Sequence, residues 1–442
     1  MKQADSIITA DYVLTMDRNL TVVRKGAIAV KDKKIIAVGP ADDLLRTFSS
    51  LQTVGGDGKV AFPGLVNTHT HAAMVYFRGL ADDLPLKVWL EEHIWPAEGR
   101  WLSPDFVHDA VELACLEMIK GGITSYADMY FFSESGARAA KKIGMRAVIG
   151  AGIVDFPTVT GKNADDYLAN AERLIAVWKG DDLITPSIAD HSAYACSPET
   201  LKKSKECAEK HGVPLQIHLS ETAWEVGEIL SRYHKRPVAH LDALGFLNEN
   251  LIAAHGVWVE PDEIEMLAER KTGVSHCIES NLKLASGIAP VITMLKAGVR
   301  VTFGTDGAAS NNDLNILSEM STAAKVHKAV SGDPTALNAK QALLMATRWG
   351  AEALGLGRVT GSLEAGKAAD IVLADLNQPH LTPLYDIYSH IVYSMHAADV
   401  DTVMVNGRLV LEKKKLTTAD EAEILAKASA WGKKIKEANT RF

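Results

Sequence analysis

Residues 63–71 read Pro-Gly-Leu-Val-Asn-Thr-His-Thr-His, a short apolar strand pattern that ends in two histidines separated by one residue. Side chains at positions i and i+2 of a strand point to the same face, so His69 and His71 can both reach one metal ion from the end of this strand. Imidazole suits zinc, iron and nickel. The pair alone is weak evidence of a metal site, because surface or core histidines also occur at this spacing.

The chain around and after this segment alternates short apolar runs with longer helical patterns, from about residue 63 to residue 364. Eight of the runs have the length and composition of buried strands: Leu65–Thr70, Ile123–Asp128, Arg146–Ile153, Ile184–Asp190, Leu215–Leu219, Leu251–His255, Gly273–Cys277 and Val299–Thr305. Helical patterns follow most of them, as at Ser133–Ile143, Ala164–Trp178, Pro198–His211, Pro261–Arg270 and Ile288–Ala297. Eight strand–helix repeats predict a (β/α)8 TIM barrel, and a doubly wound sheet is the competing interpretation.

Both ends of the chain have a different pattern, in which short β-branched segments are separated by turn residues. These segments are Ser6–Leu14, Gly26–Val30, Lys34–Val38, Asp370–Ala374, Thr402–Val405 and Arg408–Glu412. The dipeptide Asn406-Gly407 predicts a hairpin turn before the last of them. We therefore predict an α/β protein with two domains. Residues 63–364 form the barrel, and residues 1–62 plus 365–442 form a small composite β-sandwich domain.

Residue types that bind metals recur at the ends of the predicted barrel strands. His218 closes the fifth strand, His255 closes the sixth and Asp306 closes the eighth. His191 follows the fourth strand. Active sites of such barrels lie at the carboxyl ends of the strands, so these side chains should meet. Three histidines and one carboxylate, with a position left for water, are typical of a catalytic metal site. The predicted ligands of one divalent metal per chain are His69, His71, His218 and Asp306.

The composition excludes several classes of function. The 442 residues carry a net charge of −8, which argues against a nucleic-acid-binding protein with a basic surface. No apolar stretch is long enough for a transmembrane helix, and the first residues do not resemble a signal peptide. The four cysteines include no Cys-x-x-Cys pair and are too sparse for a disulfide framework. We therefore expect a cytoplasmic protein that acts on a small molecule and not on nucleic acid or membranes.

Five segments resemble the amidohydrolase superfamily, and within it the 5-methylthioadenosine/S-adenosylhomocysteine deaminase family. They read His218-Leu-Ser-Glu221-Thr, His255-Gly, Ser280-Asn281-Leu-Lys-Leu-Ala-Ser-Gly287, Gly304-Thr-Asp306-Gly-Ala-Ala-Ser310-Asn311-Asn312-Asp313 and Gly366-Lys-Ala-Ala-Asp370. Guanine deaminases and triazine hydrolases share several of them. The resemblance extends over essentially the whole chain. By analogy it also implies a homo-oligomer.

The resemblance implies hydrolytic deamination of adenine nucleosides, namely 5′-methylthioadenosine, S-adenosylhomocysteine and adenosine, to an inosine-type product and ammonia. A metal of this kind, zinc or alternatively iron(II), lowers the pKa of a bound water molecule. Asp306 would accept the proton of that water, and His255 would orient it or stabilise charge in the transition state. Glu221 would donate a proton to a ring nitrogen of the substrate. Its structural alternative is a carboxylate at a helix N-terminus.

The resemblance assigns nucleoside binding to two more residues. Glu98 would accept hydrogen bonds from the ribose hydroxyls, although the sequence alone favours an exposed surface glutamate at this position. His191 would hydrogen-bond the nucleoside, and its alternative is a structural histidine. His276, at the end of the seventh strand, is expected behind the metal ligands or in the substrate pocket.

Other functions stay open at this point. The chain could instead be a guanine, pyrimidine or triazine aminohydrolase or a chlorohydrolase, or a metal protein without turnover, although Glu221 and His255 argue against the last. Binuclear relatives bridge their metals through a lysine near the fourth strand, and Asp190-His191-Ser192 contains none. Some relatives use an arginine after the third strand for the 5′ substituent, whereas residues 150–157 read Gly-Ala-Gly-Ile-Val-Asp-Phe-Pro. Binding of a charged homocysteine tail is therefore not implied.

Overall fold

A computed structural model describes residues 1–439 of the chain. Its strands, in chain order, are β1 (Lys2–Leu14), β2 (Val22–Lys31), β3 (Lys34–Pro40), β4 (Phe48–Pro63), β5 (Leu65–Thr70), β6 (Ile123–Tyr130), β7 (Arg146–Ile153), β8 (Ile184–Ser192), β9 (Leu215–Leu219), β10 (Leu251–His255), β11 (Gly273–His276), β12 (Val301–Phe303), β13 (Ile371–Asp375), β14 (Val400–Val405), β15 (Arg408–Glu412) and β16 (Lys415–Leu416).

The α-helices of the same residues are α1 (Ala41–Thr47), α2 (Leu86–Val88), α3 (Trp95–Trp101), α4 (Pro104–Lys120), α5 (Ser133–Ile143), α6 (Ala164–Trp178), α7 (Pro198–His211), α8 (Ala223–Tyr233), α9 (Pro237–Ala243), α10 (Pro261–Glu269), α11 (Ile278–Lys283), α12 (Val291–Ala297), α13 (Ile316–Ser331), α14 (Ala339–Met345), α15 (Arg348–Ala353), α16 (Ile387–Tyr393) and α17 (Glu421–Asn439). Short 3₁₀ helices occur at Ala72–Phe77, Pro379–Leu381 and Ala397–Asp399, and a π-helix at Trp89–Ile94. None of the described helices combines the length and apolarity needed to cross a lipid bilayer.

Strands β5 to β12 form a parallel sheet in which each strand pairs with the next one in the chain. The first and last strands also meet, because the Asp306 backbone N–H donates to the His69 carbonyl at 3.0 Å. The Thr68 hydroxyl donates to the Phe303 carbonyl at 2.8 Å beside it. The (β/α)8 barrel is therefore confirmed. Helices cover its outer face, which explains why strands such as β5 and β6 are buried at every residue.

Two of the long helices that follow barrel strands begin at side chains that cap their first backbone N–H groups. Asn163 accepts a hydrogen bond from the Asp166 N–H at 3.1 Å at the start of α6, and Ser197 accepts one from Thr200 at 3.3 Å at the start of α7. Such caps supply partners for groups that the helix itself leaves unpaired. They fix the lengths of the loops that face the carboxyl ends of the strands, where the site lies.

The remaining strands form a second, mixed sheet built from both ends of the chain, in the order β16-β15-β14-β13-β4-β1-β2-β3. Its long strand β4 runs parallel to β1 and antiparallel to β13. The sequence patterns did not predict β4 because its first half is polar and contains Gly55 and Gly56. Gly55 has a φ of +103°, and a side chain there would collide with the Thr9 carbonyl oxygen of β1. Glycine is therefore required where these two strands approach closely.

A buried ion pair joins the two sheets. Arg146 of β7 donates from Nε and Nη2 to the carboxylate of Asp370 at 2.8 and 3.2 Å. Asp370 also accepts the Asn406 backbone N–H at 2.7 Å, next to the hairpin that the sequence predicted. We propose that residues 1–62 plus 365–442 form one domain and that residues 63–364 form the other. Residues 440–442 of that division lie outside the described part of the chain.

Candidate active site

Five side chains from four strands of the barrel meet at its carboxyl end. His69 and His71 come from β5 and its last turn, His218 from β9, and His255 from β10, while Asp306 follows β12. His71 Nε2 lies 3.2 Å from Asp306 Oδ1 and 3.2 Å from His218 Nε2. His69 Nε2 lies 3.5 Å from the same Asp306 oxygen. The structure thus brings together every residue that the sequence predicted as a metal ligand.

Backbone carbonyl groups determine which nitrogen of two of these histidines faces the centre. His71 donates from Nδ1 to the Met129 carbonyl oxygen at 2.6 Å, and His218 donates from Nδ1 to the His191 carbonyl oxygen at 2.6 Å. In a neutral imidazole the opposite nitrogen then carries a lone pair. When both rings are neutral, the Nε2 atoms of His71 and His218 therefore point lone pairs at one another.

This arrangement fits a cation. Two lone pairs 3.2 Å apart beside a carboxylate repel each other unless a positive charge lies between them. His69 Nε2 is buried and has no hydrogen-bond partner, as expected for a ligand atom. Donor atoms of His69, His218, His255 and Asp306 all lie within 4.8 Å of one another. His71 and His255 both face this point, so the chain offers five potential ligands.

The surroundings favour the metal-binding protonation states of Asp306 and His218, whereas at His71 burial, which lowers the pKa, is outweighed by the contacts with Asp306, which raise the pKa to about 9. Burial raises the pKa of Asp306, but its contacts with His69 and His71 outweigh burial and hold the pKa well below its ordinary value. Burial also holds the pKa of His218 well below its ordinary value, and the neighbouring His191 adds to this effect. Asp306 is therefore ionised and His218 neutral, which are the forms that bind metals.

Two of these residues have backbone conformations that non-glycine residues rarely adopt. The φ angle is +75° at His255 and +62° at Asp306. Such conformations cost about 1–3 kcal/mol each and persist where the surroundings impose them, which is common at functional sites. Here His255 is the last residue of β10 and Asp306 lies just beyond β12, and each side chain faces the cluster.

A short helix behind the cluster holds both residues in place. In α11, Ser280 donates from its hydroxyl to Asp306 Oδ2 at 2.7 Å, and Ser310 donates to the same oxygen at 2.8 Å. The adjacent Asn281 accepts a hydrogen bond from His255 Nδ1 at 2.9 Å. The sequence analysis used Ser280-Asn281 only as part of a motif and gave these residues no role. Their place directly after a barrel strand was the available clue.

Glu221 is a buried acid that contacts the cluster without being one of its members. Its Oε2 lies 3.7 Å from His255 Nε2, and the Ser286 hydroxyl is 3.5 Å from its Oε1. Burial raises the pKa of Glu221 above its ordinary value. The loop between β9 and α8, which carries Glu221, is held by Glu225. The backbone N–H groups of Ser220 and Glu221 each donate to the Glu225 carboxylate at 2.8 Å.

A cavity of about 360 Å3 opens onto the cluster. Glu98 and His191 both line it, together with Glu221. Glu98 is only 7% exposed, so the expectation of a surface glutamate is wrong. Tyr130 donates from its hydroxyl to Glu98 Oε1 at 2.7 Å. Burial raises the pKa of Glu98 to about 7, although the hydrogen bond from Tyr130 opposes this shift.

The other two histidines that the sequence analysis singled out, His191 and His276, lie on different sides of the metal-type cluster. His191 lies over the His218 ring, with 4.8 Å between ring centroids, and burial lowers its pKa to about 3. A neutral His191 can therefore exchange hydrogen bonds with a ligand in the cavity. His276 is not among the residues that line the cavity. Its Nε2 faces His327 Nε2 at 3.0 Å in the protein interior, so its position is behind the site.

Metal-binding side chains at the strand ends of a (β/α)8 barrel, beside a buried acid and a substrate-sized cavity, define the class of metal-dependent hydrolases. The comparison with known proteins agrees with this class. A model of the amidohydrolase family matches residues 60–410. The chain belongs to the amidohydrolase family.

Three proteins are similar to this chain over nearly its whole length. The 5-methylthioadenosine/S-adenosylhomocysteine deaminase of Thermodesulfovibrio yellowstonii is 54% identical, over 97% of this chain and 98% of its own. The 5′-deoxyadenosine deaminase of Methanosarcina acetivorans is 44% identical, over 96% of this chain and 97% of its own. A crystal structure of an adenosine deaminase from Xanthomonas campestris with bound zinc has a TM-score of 0.97 at 41% identity and covers 99% of both chains.

Proposed function

We propose that the protein deaminates adenine nucleosides by hydrolysis and releases an inosine-type product and ammonia. The substrates are 5′-methylthioadenosine, S-adenosylhomocysteine and adenosine. The observation that carries the proposal is a buried carboxylic acid, Glu221, beside the metal-type cluster and inside the same cavity as Glu98. The names of the similar proteins, all deaminases of adenine nucleosides, support it.

The proposed metal ligands are His69, His71, His218 and Asp306, and the proposed metal is one zinc per chain. Bound there, the metal would supply a water molecule of lowered pKa. Zinc is supported by the three imidazole donors and by the zinc in the Xanthomonas structure. Iron(II) suits the same donors, so metal analysis of the purified protein decides between them.

Glu221 has the properties of the proton donor. Its raised pKa favours the protonated acid, which can donate to a ring nitrogen of the purine and make the adjacent carbon electrophilic. Asp306 Oδ2 is held by two hydroxyl groups, which leaves Oδ1 on the side of the cluster to accept the proton of the attacking water. The water oxygen bonds to the ring carbon, the carbon–nitrogen bond breaks, and the amine leaves as ammonia after taking up a proton.

We propose that His255 stabilises the attack. Its Nδ1 donates to Asn281, so Nε2 faces the reaction centre and lies 3.7 Å from Glu221. At this position the ring can orient the water or stabilise the charge that develops on the attacking oxygen. Glu98 and His191 would bind the nucleoside, Glu98 by accepting hydrogen bonds from the ribose hydroxyls.

The alternative is an aminohydrolase or chlorohydrolase that acts on guanine, a pyrimidine or a triazine. Glu98 discriminates between the two functions, because a free base has no ribose hydroxyls for it to bind. Glu98→Gln should therefore reduce turnover of a nucleoside much more than turnover of a free base. Equal losses on both kinds of substrate would favour the alternative.

A deamination screen with metal content measured on the same sample tests the proposal. The substrates are adenosine, 5′-methylthioadenosine, S-adenosylhomocysteine, guanine and cytosine, and deamination is followed by the change in ultraviolet absorption. We expect turnover of the adenine nucleosides. A metal-loaded preparation that leaves all three nucleosides unchanged would contradict the proposal, and two metal ions per chain would contradict the single-metal site.

We also propose that the protein works in the cytoplasm and as a homo-oligomer. All four cysteines, Cys115, Cys196, Cys207 and Cys277, are free thiols, which supports a reducing compartment. The oligomer is an analogy with related enzymes. Light scattering of the purified protein gives the number of chains directly.

A further inference from the structure

Glu225, in the first turn of α8, is a buried glutamate that takes no part in the reaction proposed above. The residue is only 1% exposed. Its Oε1 accepts the backbone N–H of Ser220 and its Oε2 accepts that of Glu221, both at 2.8 Å. One carboxylate therefore binds the N–H groups of two consecutive residues, and the second of them is the proposed proton donor.

The turn that Glu225 binds has an unusual backbone conformation. Ser220 has a φ of +50°, in the left-handed region that non-glycine residues rarely adopt. The Ser220 hydroxyl is buried and has no hydrogen-bond partner among the described residues, so the side chain does not stabilise this conformation. Backbone groups do so instead, because the Ser220 carbonyl oxygen accepts the Trp258 N–H at 2.8 Å and the Ser220 N–H donates to Glu225. Without Glu225, the residue before Glu221 loses one of these two anchors.

Both oxygens of Glu225 are needed for this contact, which is a reason for an acidic side chain in a buried position. A carboxylate accepts at each oxygen, whereas the amide of a glutamine of the same shape accepts at one end and donates at the other. Burial raises the pKa of Glu225 to about 7, although hydrogen bonds from the Glu221 and Ser220 N–H groups oppose this shift. The first turn of a helix also favours a negative charge. The form that accepts both N–H groups is therefore populated from neutral pH upward.

Resting on the proposed function, we infer that Glu225 is a positioning residue, which holds the proton donor Glu221 at the reaction centre. The Glu221 carboxylate lies 3.7 Å from His255 Nε2 and 3.5 Å from the Ser286 hydroxyl, and contacts of this length hold a side chain only weakly. The position of Glu221 therefore depends on its backbone, which Glu225 binds. A displacement of about 1 Å at a reacting group can cost about 10²-fold in rate, so loss of Glu225 should lower kcat by roughly 10- to 100-fold.

A double-mutant cycle on the metal-loaded full-length protein tests this role, with kcat and KM for adenosine and the metal content measured on each variant. Glu225→Gln should lower kcat by roughly 10- to 100-fold and leave the metal content unchanged. Glu221→Ala removes the group that Glu225 is inferred to position. In that background Glu225→Gln should have almost no further effect, because two residues that act through one group do not contribute independently.

Hydrogen–deuterium exchange measures the contact without reference to activity. In Glu225→Gln the backbone N–H groups of residues 220 and 221 lose an acceptor, so the segment 219–226 should exchange faster than in the unmodified protein. Glu228→Gln changes a partly exposed residue of the same helix and is the matched control, with unchanged exchange and kcat. Glu225→Asp keeps the charge but is one carbon shorter, and it replaces Glu225→Gln in both experiments if that variant does not fold.

The outcomes separate this inference from the function on which it rests. A loss of kcat by the same factor in both backgrounds would overturn the inference and leave the deaminase function intact, because Glu225 would then act through another part of the protein. Unchanged kcat in Glu225→Gln, or unchanged exchange of residues 219–226, would overturn it as well. Unmodified protein that deaminates no adenine nucleoside would instead contradict the proposed function, while the exchange experiment would still report whether Glu225 holds the turn.

Discussion

At the scale of single residues, the site contains two carboxylic acids whose surroundings shift their pKa values in opposite directions. Asp306 touches two histidines, and its pKa lies well below the ordinary value. Glu221 is buried with weaker partners, and its pKa is raised. Such a separation lets one carboxylate bind a metal or accept a proton while the other donates one at the same pH.

The first prediction concerns Glu221→Gln, which keeps the shape of the side chain and removes the acidic proton. We expect kcat to fall by about 10²- to 10⁴-fold, the usual contribution of a general acid. Metal content should stay at the level of the unmodified protein, because Glu221 is not a proposed ligand. Glu228→Gln, which changes a surface residue of α8, is the matched control. Full activity of Glu221→Gln would exclude Glu221 as the proton donor.

The second prediction concerns the pH dependence that Glu98 imposes. Because its pKa is about 7, Glu98 changes from neutral to ionised near neutral pH. Only the ionised form accepts hydrogen bonds through both oxygens. We therefore expect kcat/KM for adenosine to rise as pH increases through about 7, and Glu98→Gln to remove this rise. A 2′,3′-dideoxyadenosine substrate lacks the hydroxyls and should not show it; a rise that persists with this substrate would assign the titration to another group.

The sequence analysis predicted the metal-type residues of the candidate site, but it did not predict the side chains that hydrogen-bond them. His69, His71, His218 and Asp306 were found because metal-binding side chains at several strand ends are rare by chance. The partners of Asp306 and His255 were not found, because a serine or an asparagine has many local uses. Their role depends on tertiary contacts between α11 and two strands, and such contacts leave no periodic pattern.

At the scale of elements, α11 connects Asp306 and His255 to one helix. Ser280 and Asn281 are adjacent in the chain, yet one holds Asp306 and the other holds His255. Any shift of α11 therefore moves both residues together. This coupling fixes the distance between Asp306, the proposed proton acceptor, and His255, the residue proposed to stabilise the attack.

The third prediction is that Asn281→Ala slows the reaction without removing the metal. His255 would lose the acceptor that orients its ring, and partners of this kind contribute about 10- to 100-fold. Asn281→Asp keeps an oxygen acceptor and should recover part of the rate, with an altered pH profile because a charge now faces His255. If Asn281→Ala and the unmodified protein have the same kcat and pH profile, Asn281 does not position His255.

The boundaries of the elements show what periodicity can predict. Strands β5, β7, β9 and β10 and helices α5, α6 and α7 begin and end where the sequence analysis placed them. Each has a clear apolar pattern and caps or turns at its ends. Strand β4 was missed because it is polar and glycine-containing over half its length, and its pairing with β1 and β13 stabilises it.

At the scale of the whole molecule, the ion pair between Arg146 and Asp370 connects the barrel to the sheet formed by the chain ends. Both side chains are almost completely buried. Removing one partner of a buried pair leaves the other charge without compensation. This is more costly than losing a surface pair.

The fourth prediction is that Arg146→Met lowers the free energy of unfolding by about 3–5 kcal/mol. Denaturant or thermal unfolding measures this loss. Lys203→Met, which removes the exposed pair with Asp165, is the control and should cost less than about 1 kcal/mol. Similar losses for both variants would show that the buried pair does not hold the two sheets together.

Strand β4 also has a consequence for synthesis of the chain. One of its edges pairs with β13, where Ile371 lies opposite Pro63. The ribosome makes almost the whole barrel between these two residues. During that time the nascent chain presents an unpaired strand edge, which is a site for association with other chains. A chaperone that binds extended segments should therefore raise the yield of folded protein.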